Sequence, residues 1–229
     1  MMRKGFRLFA AGFALALVAG LSLSGCSSSG SSSSTAALSL RSDEKYNYTG
    51  EVYLLRGLAN VFSTGLDEMN TKFRRRGVNS KVDNHSLWQS YADDIVARAA
   101  RGQVSYPIII MGHSLGGNAC VQMARYLGDR GIEVSYVAAF DPTITTEPGP
   151  KVDEVINFYL PNGRQGNDAN VVVAGPGFTG QLANVDMSQS GEINHFNIEK
   201  NPALQVRVMT KAISLMKPRF HGSKQGQNI

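Results

Sequence analysis

One stretch, residues 107–127 (PIIIMGHSLGGNACVQMARYL), constrains the fold of this chain more than any other. A short, largely β-branched apolar run is typical of a buried strand. A glycine-rich turn at residues 112–117 follows it, and a segment with helical spacing comes directly after the turn. A buried strand that passes through a tight turn into a helix is a building unit of α/β architecture.

The same alternation of strand and helix continues along the chain. Strand-like segments lie at residues 51–56, 79–83, 107–111, 133–140 and 152–160, and a short strand is predicted at 182–187. Helical spacing is found over residues 62–76, 85–100, 118–127 and 202–216. This order predicts an α/β fold in which helices flank a mostly parallel central sheet.

The first 45 residues have a different composition. Residues 1–7 contain three basic residues and no acidic one, residues 8–21 are almost wholly apolar, and Leu23-Ser24-Gly25-Cys26 follows. A basic start, a short apolar run and small residues are typical of a secretory signal. Leu-Ser-Gly-Cys resembles the bacterial lipobox, which implies cleavage before Cys26 and lipidation of its thiol. The absence of an acidic residue after Cys26 resembles signals for the outer membrane, so we expect an anchored protein that faces the periplasm.

The predicted organisation therefore has four parts. Residues 1–25 form the lipoprotein signal, and residues 26–45 form the lipidated end and a tether. Serine dominates that tether, which has too little apolar surface to offset the entropy of ordering. Residues 46–217 form one folded domain, and residues 218–229 are predicted to be a flexible tail.

Charge and cysteine content narrow the possible partners. Three of the cations behind the formal net charge of +5 lie in the leader, so the remaining chain is close to neutral and we expect no nucleic-acid partner. No Cys and His cluster has metal-ligand spacing, and we expect neither a metal nor a cofactor. Cys120, in a helical segment among apolar residues, is predicted to be a small buried hydrophobe. Nothing in the sequence indicates the oligomeric state.

Ser114 is the candidate nucleophile, because Gly-His-Ser-Leu-Gly places it between a strand and a helix. A side chain at either flanking glycine would collide with the neighbouring strand or helix. The amide of Leu115, at the start of the helix, would stabilise an oxyanion formed on attack. Arg56-Gly57-Leu58 ends the first strand at the same edge of the sheet, so the amide of Leu58 is the candidate second donor.

A serine nucleophile needs a base and an acid that orients it. Of four histidines, His195 is preferred as the base, because it follows the last strand and precedes the last helix. His85, His113 and His221 are the other candidates. Asp141 directly follows a predicted strand and is preferred as the acid. Asp168 and Asp186 remain alternatives, and Asp141 could instead be a turn residue before Pro142.

Together these residues resemble the α/β-hydrolase superfamily, in particular its lipase and thioesterase branches. The resemblance covers about residues 51–216 and is carried by Gly-His-Ser-Leu-Gly-Gly, Phe-Asp-Pro at 140–142, His195 and Arg56-Gly57-Leu58. The placement of the acid after the strand that follows the nucleophile's helix resembles the pancreatic-lipase group and some thioesterases. Members often have His-Gly where this chain has Arg56-Gly57. No long insertion is present to form a cap or lid, which implies a minimal core.

The resemblance implies a serine hydrolase that cleaves a small-molecule or lipid acyl ester or thioester. Ser114, His195 and Asp141 would form the triad, and the amides of Leu115 and Leu58 would hold the oxyanion. Two alternatives stay open: an inactive envelope binding protein on the same fold, or a peptidase.

Overall fold

A computed structural model describes residues 46–58, 63–161 and 170–219. Among these residues there are six strands and four helices. Strand and helix alternate up to the fourth strand, and the fourth, fifth and sixth strands then follow one another before the last helix. The elements are β1 (Glu51–Arg56), α1 (Thr64–Arg75), β2 (Ser80–Asn84), α2 (Trp88–Ala99), β3 (Ile108–His113), α3 (Leu115–Gly128), β4 (Tyr136–Phe140), β5 (Glu154–Tyr159), β6 (Gln181–Asp186) and α4 (Pro202–Ser214). Short 3-10 turns, His85–Leu87 and Ile198–Lys200, precede α2 and α4.

The strands form one parallel sheet in the order β2-β1-β3-β4-β5-β6. The chain first adds β2 on one side of β1 and then places β3 on the other, so the strand order reverses between β1 and β3. In open parallel sheets, ligand sites lie at such a reversal, outside the carboxyl ends of the strands. The predicted fold class is confirmed, and no cap domain is evident among the described residues.

Two apolar layers cover the sheet, and successive residues of each strand face opposite layers. In β3, Ile109 and Met111 pack with α1 and α4, whereas Ile108 and Ile110 pack with α2 and α3. All six residues of this strand are buried. Burial on both faces explains why the strand is a continuous apolar run rather than an alternating one.

Local sequence sets the ends of the helices. Along α1, Leu66, Met69 and Phe73 recur at helical spacing on the buried face, and Gly77 follows the helix with a φ of +75°. At the start of α4, the side chain of Asn201 accepts hydrogen bonds from the first backbone amides, and Pro202 occupies the first turn.

Several element ends differ from those predicted. The predicted helix at 85–100 begins with a 3-10 turn, because the Asn84 side chain accepts a hydrogen bond from the Ser86 amide. The strand predicted from residue 133 begins at Tyr136, and Val134 makes only an isolated bridge to Val152. Helix α3 begins three residues earlier than predicted, directly after Ser114.

Two glycine turns lie at the amino ends of neighbouring strands. Gly102 precedes β3 and Gly131 precedes β4, with φ angles of +66° and +77°. A side chain built at either position would meet no atom within 4 Å. These turns are therefore open, and they lie at the edge of the sheet opposite Ser114.

Candidate active site

Ser114 occupies the single residue between β3 and α3, in a strained backbone conformation. Its φ of 57° and ψ of −122° are rare for a residue with a side chain, and such strain costs about 1–3 kcal/mol. Its amide donates a hydrogen bond to the Phe140 carbonyl at 3.0 Å, which ties the turn to β4. The strand, the turn and the helix thus hold the Ser114 side chain at the carboxyl edge of the sheet.

The flanking glycines permit this turn. A Cβ at Gly112 would collide with the Gly116 carbonyl of α3, and a Cβ at Gly116 would collide with the Leu55 carbonyl of β1. A Cβ at Gly117 would lie 3.2 Å from Pro142, which is tight but not a collision. Gly112 and Gly116 are therefore required for strand and helix to approach each other, as the sequence predicted.

His195 lies between Ser114 and Asp141 in space. Its Nε2 is 3.0 Å from Ser114 Oγ, and its Nδ1 is 2.6 Å from Asp141 Oδ2. Because an ionised carboxylate only accepts, Nδ1 carries the proton, and Nε2 is left to accept from the serine hydroxyl. This is the arrangement in which a histidine can take a proton from serine and hold it beside a carboxylate.

The other two described histidines, His85 and His113, make their hydrogen bonds to groups other than Ser114 Oγ. His85 Nδ1 lies 3.3 Å from the Gly57 carbonyl. His113 is buried, and its two ring nitrogens contact Ser63 and the backbone of His195. His221 lies outside the described residues.

Asp141 is held by backbone and side-chain groups of the neighbouring strand ends. Its φ is +46°, and its amide donates to the Phe158 carbonyl at 2.7 Å. Asp141 Oδ1 accepts from the Leu160 amide at 3.0 Å and from the Asn170 side chain at 2.8 Å. Its Oδ2 therefore faces His195 in a fixed orientation.

Only one of the two alternative acids lies in the described part of the chain, and it is not part of this arrangement. Asp168 lies outside the described residues. Asp186 ends β6, where its carboxylate accepts a hydrogen bond from the Ser188 amide at 2.7 Å. Among the described aspartates, the structure brings Asp141 to His195.

Sequence reasoning missed Asn170. This residue is almost fully buried, and its backbone carbonyl accepts from the Asn157 side chain at 2.9 Å. Asn157 also donates to Asn184 at 2.9 Å, so asparagines on β5 and β6 hold the segment that carries Asn170. Asn170 lies in a stretch rich in Gly, Asn and Asp, and no local pattern distinguishes it from its neighbours.

The loop after β1 passes directly over the nucleophile. A Cβ at Gly57 would lie 3.0 Å from Ser114 Cβ and 3.1 Å from the His113 carbonyl, so a side chain there would be tight against both atoms. The Gly57 amide is occupied, because it donates to Ser63 Oγ at 2.9 Å. Leu58 is the next residue of this loop, and Leu115 is the first residue of α3. The residues of both candidate oxyanion amides thus directly follow Gly57 and Ser114.

Apolar side chains are exposed around these groups. Leu58, Ile144 and Phe196 are exposed large hydrophobic residues, and each lies at or within three residues of a candidate oxyanion donor, Asp141 or His195. Asn118 accepts from the Thr143 amide at 2.8 Å and fixes the loop that carries Ile144. Three large apolar side chains are therefore exposed at, or close in sequence to, the triad and the candidate oxyanion residues.

Cys120 is buried, as predicted. Its thiol donates to the Gly117 carbonyl at 3.1 Å, and burial raises its pKa far above the ordinary value. A thiol that stays protonated is a poor nucleophile. Cys120 therefore packs as a small apolar residue of α3.

Within the described ranges, no group of three or more His, Cys, Asp or Glu side chains could hold a metal ion. The helices of the same ranges are each too short or too polar to cross a bilayer. Cys26 and the residues predicted to form the signal and tether lie outside the described part of the chain, so lipidation stays a prediction.

No protein-family model matches the sequence, and no curated protein is similar to it. Solved structures resemble the fold more remotely. One, from work on the metagenome-derived lipolytic enzymes LipS and LipT, is 12% identical over 74% of this chain and 96% of its own, with a TM-score of 0.47. Est1E from Butyrivibrio proteoclasticus is 10% identical over 76% and 92%, with a TM-score of 0.45. Human thioesterase 2 is 10% identical over 73% and 95%, with a TM-score of 0.40.

Proposed function

We propose that this protein is a serine hydrolase of the α/β-hydrolase type that cleaves carboxylic ester or thioester bonds. The observation that carries the proposal is the continuous hydrogen-bonded chain from Ser114 Oγ through His195 to Asp141 Oδ2, with distances of 3.0 and 2.6 Å. The strained turn at Ser114 supports it, because strain of this kind persists where function requires it.

In the proposed reaction, Ser114 Oγ attacks the acyl carbonyl while His195 Nε2 takes its proton. The amides of Leu115 and Leu58 stabilise the resulting oxyanion. His195 then gives the proton to the leaving alcohol or thiol, and the acyl group stays on Ser114. Water attacks this acyl-enzyme and loses a proton to His195, and His195 returns that proton to Ser114 Oγ as the bond to the acyl group breaks and the acid leaves. Asp141 orients His195 and stabilises its charged form throughout.

A substrate class is supported by the side chains that neighbour the triad residues in sequence. The exposed apolar residues Leu58, Ile144 and Phe196 favour an acyl chain over a charged group. We propose a small-molecule or lipid acyl ester as substrate. The predicted lipid anchor on Cys26 would place the enzyme at a membrane surface, where such esters occur.

Replacement of Ser114 by alanine tests the proposal. We expect Ser114→Ala to lower kcat for nitrophenyl esters of graded chain length by several orders of magnitude, because it removes the hydroxyl that forms the acyl-enzyme. Ser214→Ala, which removes an exposed hydroxyl at the end of α4, should leave kcat unchanged. Undiminished turnover in Ser114→Ala would contradict the proposal.

The acid is tested by a matched pair of aspartates. Asp141→Asn keeps the shape but cannot hold a charged His195, so we expect kcat to fall by about 10⁴-fold. Asp186→Asn should have no such effect, because the Asp186 carboxylate accepts a hydrogen bond from the Ser188 amide. The reverse ranking would show that Asp141 is a turn residue.

The remaining alternatives give different results in the same assays. An inactive binding protein would hydrolyse no ester, and a fluorophosphonate probe would not label its Ser114. A peptidase would cleave peptide substrates in preference to esters of the panel.

A further inference from the structure

A second hydrogen-bonded chain runs beneath Ser114 and joins the two loops that face it. The Gly57 amide donates to Ser63 Oγ at 2.9 Å, and Ser63 Oγ lies 2.9 Å from His113 Nδ1. On its other side, His113 Nε2 lies 2.7 Å from the backbone carbonyl of His195. His113 thus stands between the loop after β1 and the loop that carries His195.

The direction of this chain is set by its two ends. A backbone amide can only donate and a backbone carbonyl can only accept. His113 Nε2 therefore donates to the His195 carbonyl, so in the neutral ring Nδ1 is left to accept. Ser63 Oγ then donates its hydrogen to His113 Nδ1 and accepts from the Gly57 amide. One neutral tautomer of His113 satisfies every member.

The surroundings of His113 support the neutral form. The side chain is almost fully buried on the face of the sheet that packs with α1 and α4, and this burial lowers its pKa to about 4. Glu199 is the nearest carboxylate, but its Oε2 lies 3.8 Å from His113 Nε2, beyond hydrogen-bonding distance. The His195 carbonyl is therefore the acceptor.

Ser63 contributes to this chain rather than to its own helix. It occupies the N-cap position of α1, yet its side chain makes no capping hydrogen bond there. The hydroxyl is instead almost fully buried and directed between Gly57 and His113. A buried hydroxyl and imidazole are costly unless both are satisfied, so each depends on the other.

We propose that His113 is a positioning residue that couples the oxyanion loop to the base. Through Ser63 it fixes the Gly57 amide, and with it the adjacent amide of Leu58. Through the His195 carbonyl it fixes the backbone from which the imidazole reaches Ser114. The inference rests on the proposed hydrolase function. It explains why the residue before the nucleophile is a histidine, although its ring does not contact Ser114 Oγ.

The test measures each end of the chain after a change at the other. The Ser63→Ala substitution leaves His195 itself unchanged, and the His113→Phe substitution leaves Leu58 itself unchanged. We expect either variant to lower kcat by about 10–100-fold with a much smaller change in KM, the usual size for a supporting contact. His113→Gln can accept from Ser63 and donate to the carbonyl, so it should recover part of the loss.

The coupling has two further signatures. Ser63→Ala should shift the apparent pKa of the base in the profile of kcat/KM against pH. His113→Phe should weaken binding of a boronic acid, which places an anionic oxygen near the Leu58 amide, more than binding of a neutral product. Rates are normalised to the fraction of Ser114 that a fluorophosphonate labels, so a variant that merely folds poorly gives neither signature.

An experiment that requires no catalytic turnover separates this inference from the proposed function. In ¹⁵N and ¹³C NMR spectra of the wild type, His113 should be protonated on Nε2, and Ser63→Ala should shift the His195 carbonyl resonance. If the wild type hydrolyses no ester, the proposed function fails, but the NMR experiment still tests the coupling. Normal kcat in both variants of an active enzyme, or an unmoved His195 carbonyl in Ser63→Ala, overturns the inference.

Discussion

Ser114 has a positive φ, which is unfavourable for a residue with a side chain. This strain should lower the free energy of unfolding by an amount that can be measured. Ser114→Ala and Ser114→Gly both remove the hydroxyl, but only glycine relieves the positive φ. Relief of about 1–3 kcal/mol, less the entropy that glycine loses on folding, leaves Ser114→Gly about 1 kcal/mol more stable than Ser114→Ala. Urea unfolding of the two inactive variants measures the difference. Equal stability would mean that the turn is not strained.

At the scale of single residues, the sequence predicted groups that chemistry requires but not the groups that support them. Ser114 has a local pattern, and Asp141 and His195 follow from the order of elements. Asn170 and Ser63 have no such pattern. Each acts through a partner that lies distant in the chain, so only the folded arrangement distinguishes it from other loop asparagines and serines.

The strand-turn-helix element depends unequally on its glycines. A Cβ at Gly116 would collide with the backbone of β1, and neither backbone can give way without moving the sheet. We expect Gly116→Ala to destabilise the fold by about 3 kcal/mol, the upper end for overpacking. Gly117→Ala is the matched control. Its contact with Pro142 is tight, but alanine favours the helix, so its stability should change by about 1 kcal/mol or less.

Thermal and urea unfolding of both variants measure this ranking. An equal loss in both would contradict the ranking, because the contact of Gly116 with β1 would then be no more restrictive than the contact of Gly117 with Pro142.

Element ends were harder to predict than elements. The strand at 51–56 and the final helix start were predicted correctly, because apolar runs and an Asn-Pro cap mark them. The start of α3 was missed, since no capping side chain begins it. The helix begins where glycines let it approach β1, and that approach is a tertiary contact with no local sequence signal.

For the whole molecule, Glu199 makes stability depend on pH. Its side chain is fully buried near the amino end of α1 and faces His113 Nε2 and Lys200 Nζ, each at 3.8 Å. Burial raises its pKa from 4.5 to about 6. Because the folded state then binds the proton more tightly, this carboxyl stabilises most below pH 4.5, and the contribution is lost as pH rises to 6.

Glu199→Gln removes this dependence. Relative to the wild type, we expect the variant to gain about 2 kcal/mol in free energy of unfolding between pH 4 and pH 7. Burial lowers the pKa of His113 and gives the opposite slope, but that slope is common to both proteins and cancels in their difference. Denaturant unfolding across this range is the measurement, and a difference that stays flat or falls with rising pH would contradict it.

The alternation of strands and helices was enough to predict a parallel sheet with helices on both faces. It was not enough to predict the strand order. No local sequence pattern indicates that β2 pairs with one side of β1 and β3 with the other, because that order results from how the crossover helices pack. The reversal between β1 and β3 brings Gly57 beside Ser114. The site therefore depends on the strand order, which the sequence did not predict.

The open glycine turns at Gly102 and Gly131 have a consequence for how such a chain can grow. Both lie at the amino ends of the strands, where there is no candidate catalytic group. A Cβ built at either glycine would meet no atom within 4 Å. Extra residues, or even an inserted module, can enter there without altering the distances around Ser114. The residues from 108 to 115 leave no such freedom, since one added residue would exchange the faces of β3 and turn His113 toward α2 and α3. New length in this protein can therefore accumulate at one end of the sheet, while the other end keeps its spacing.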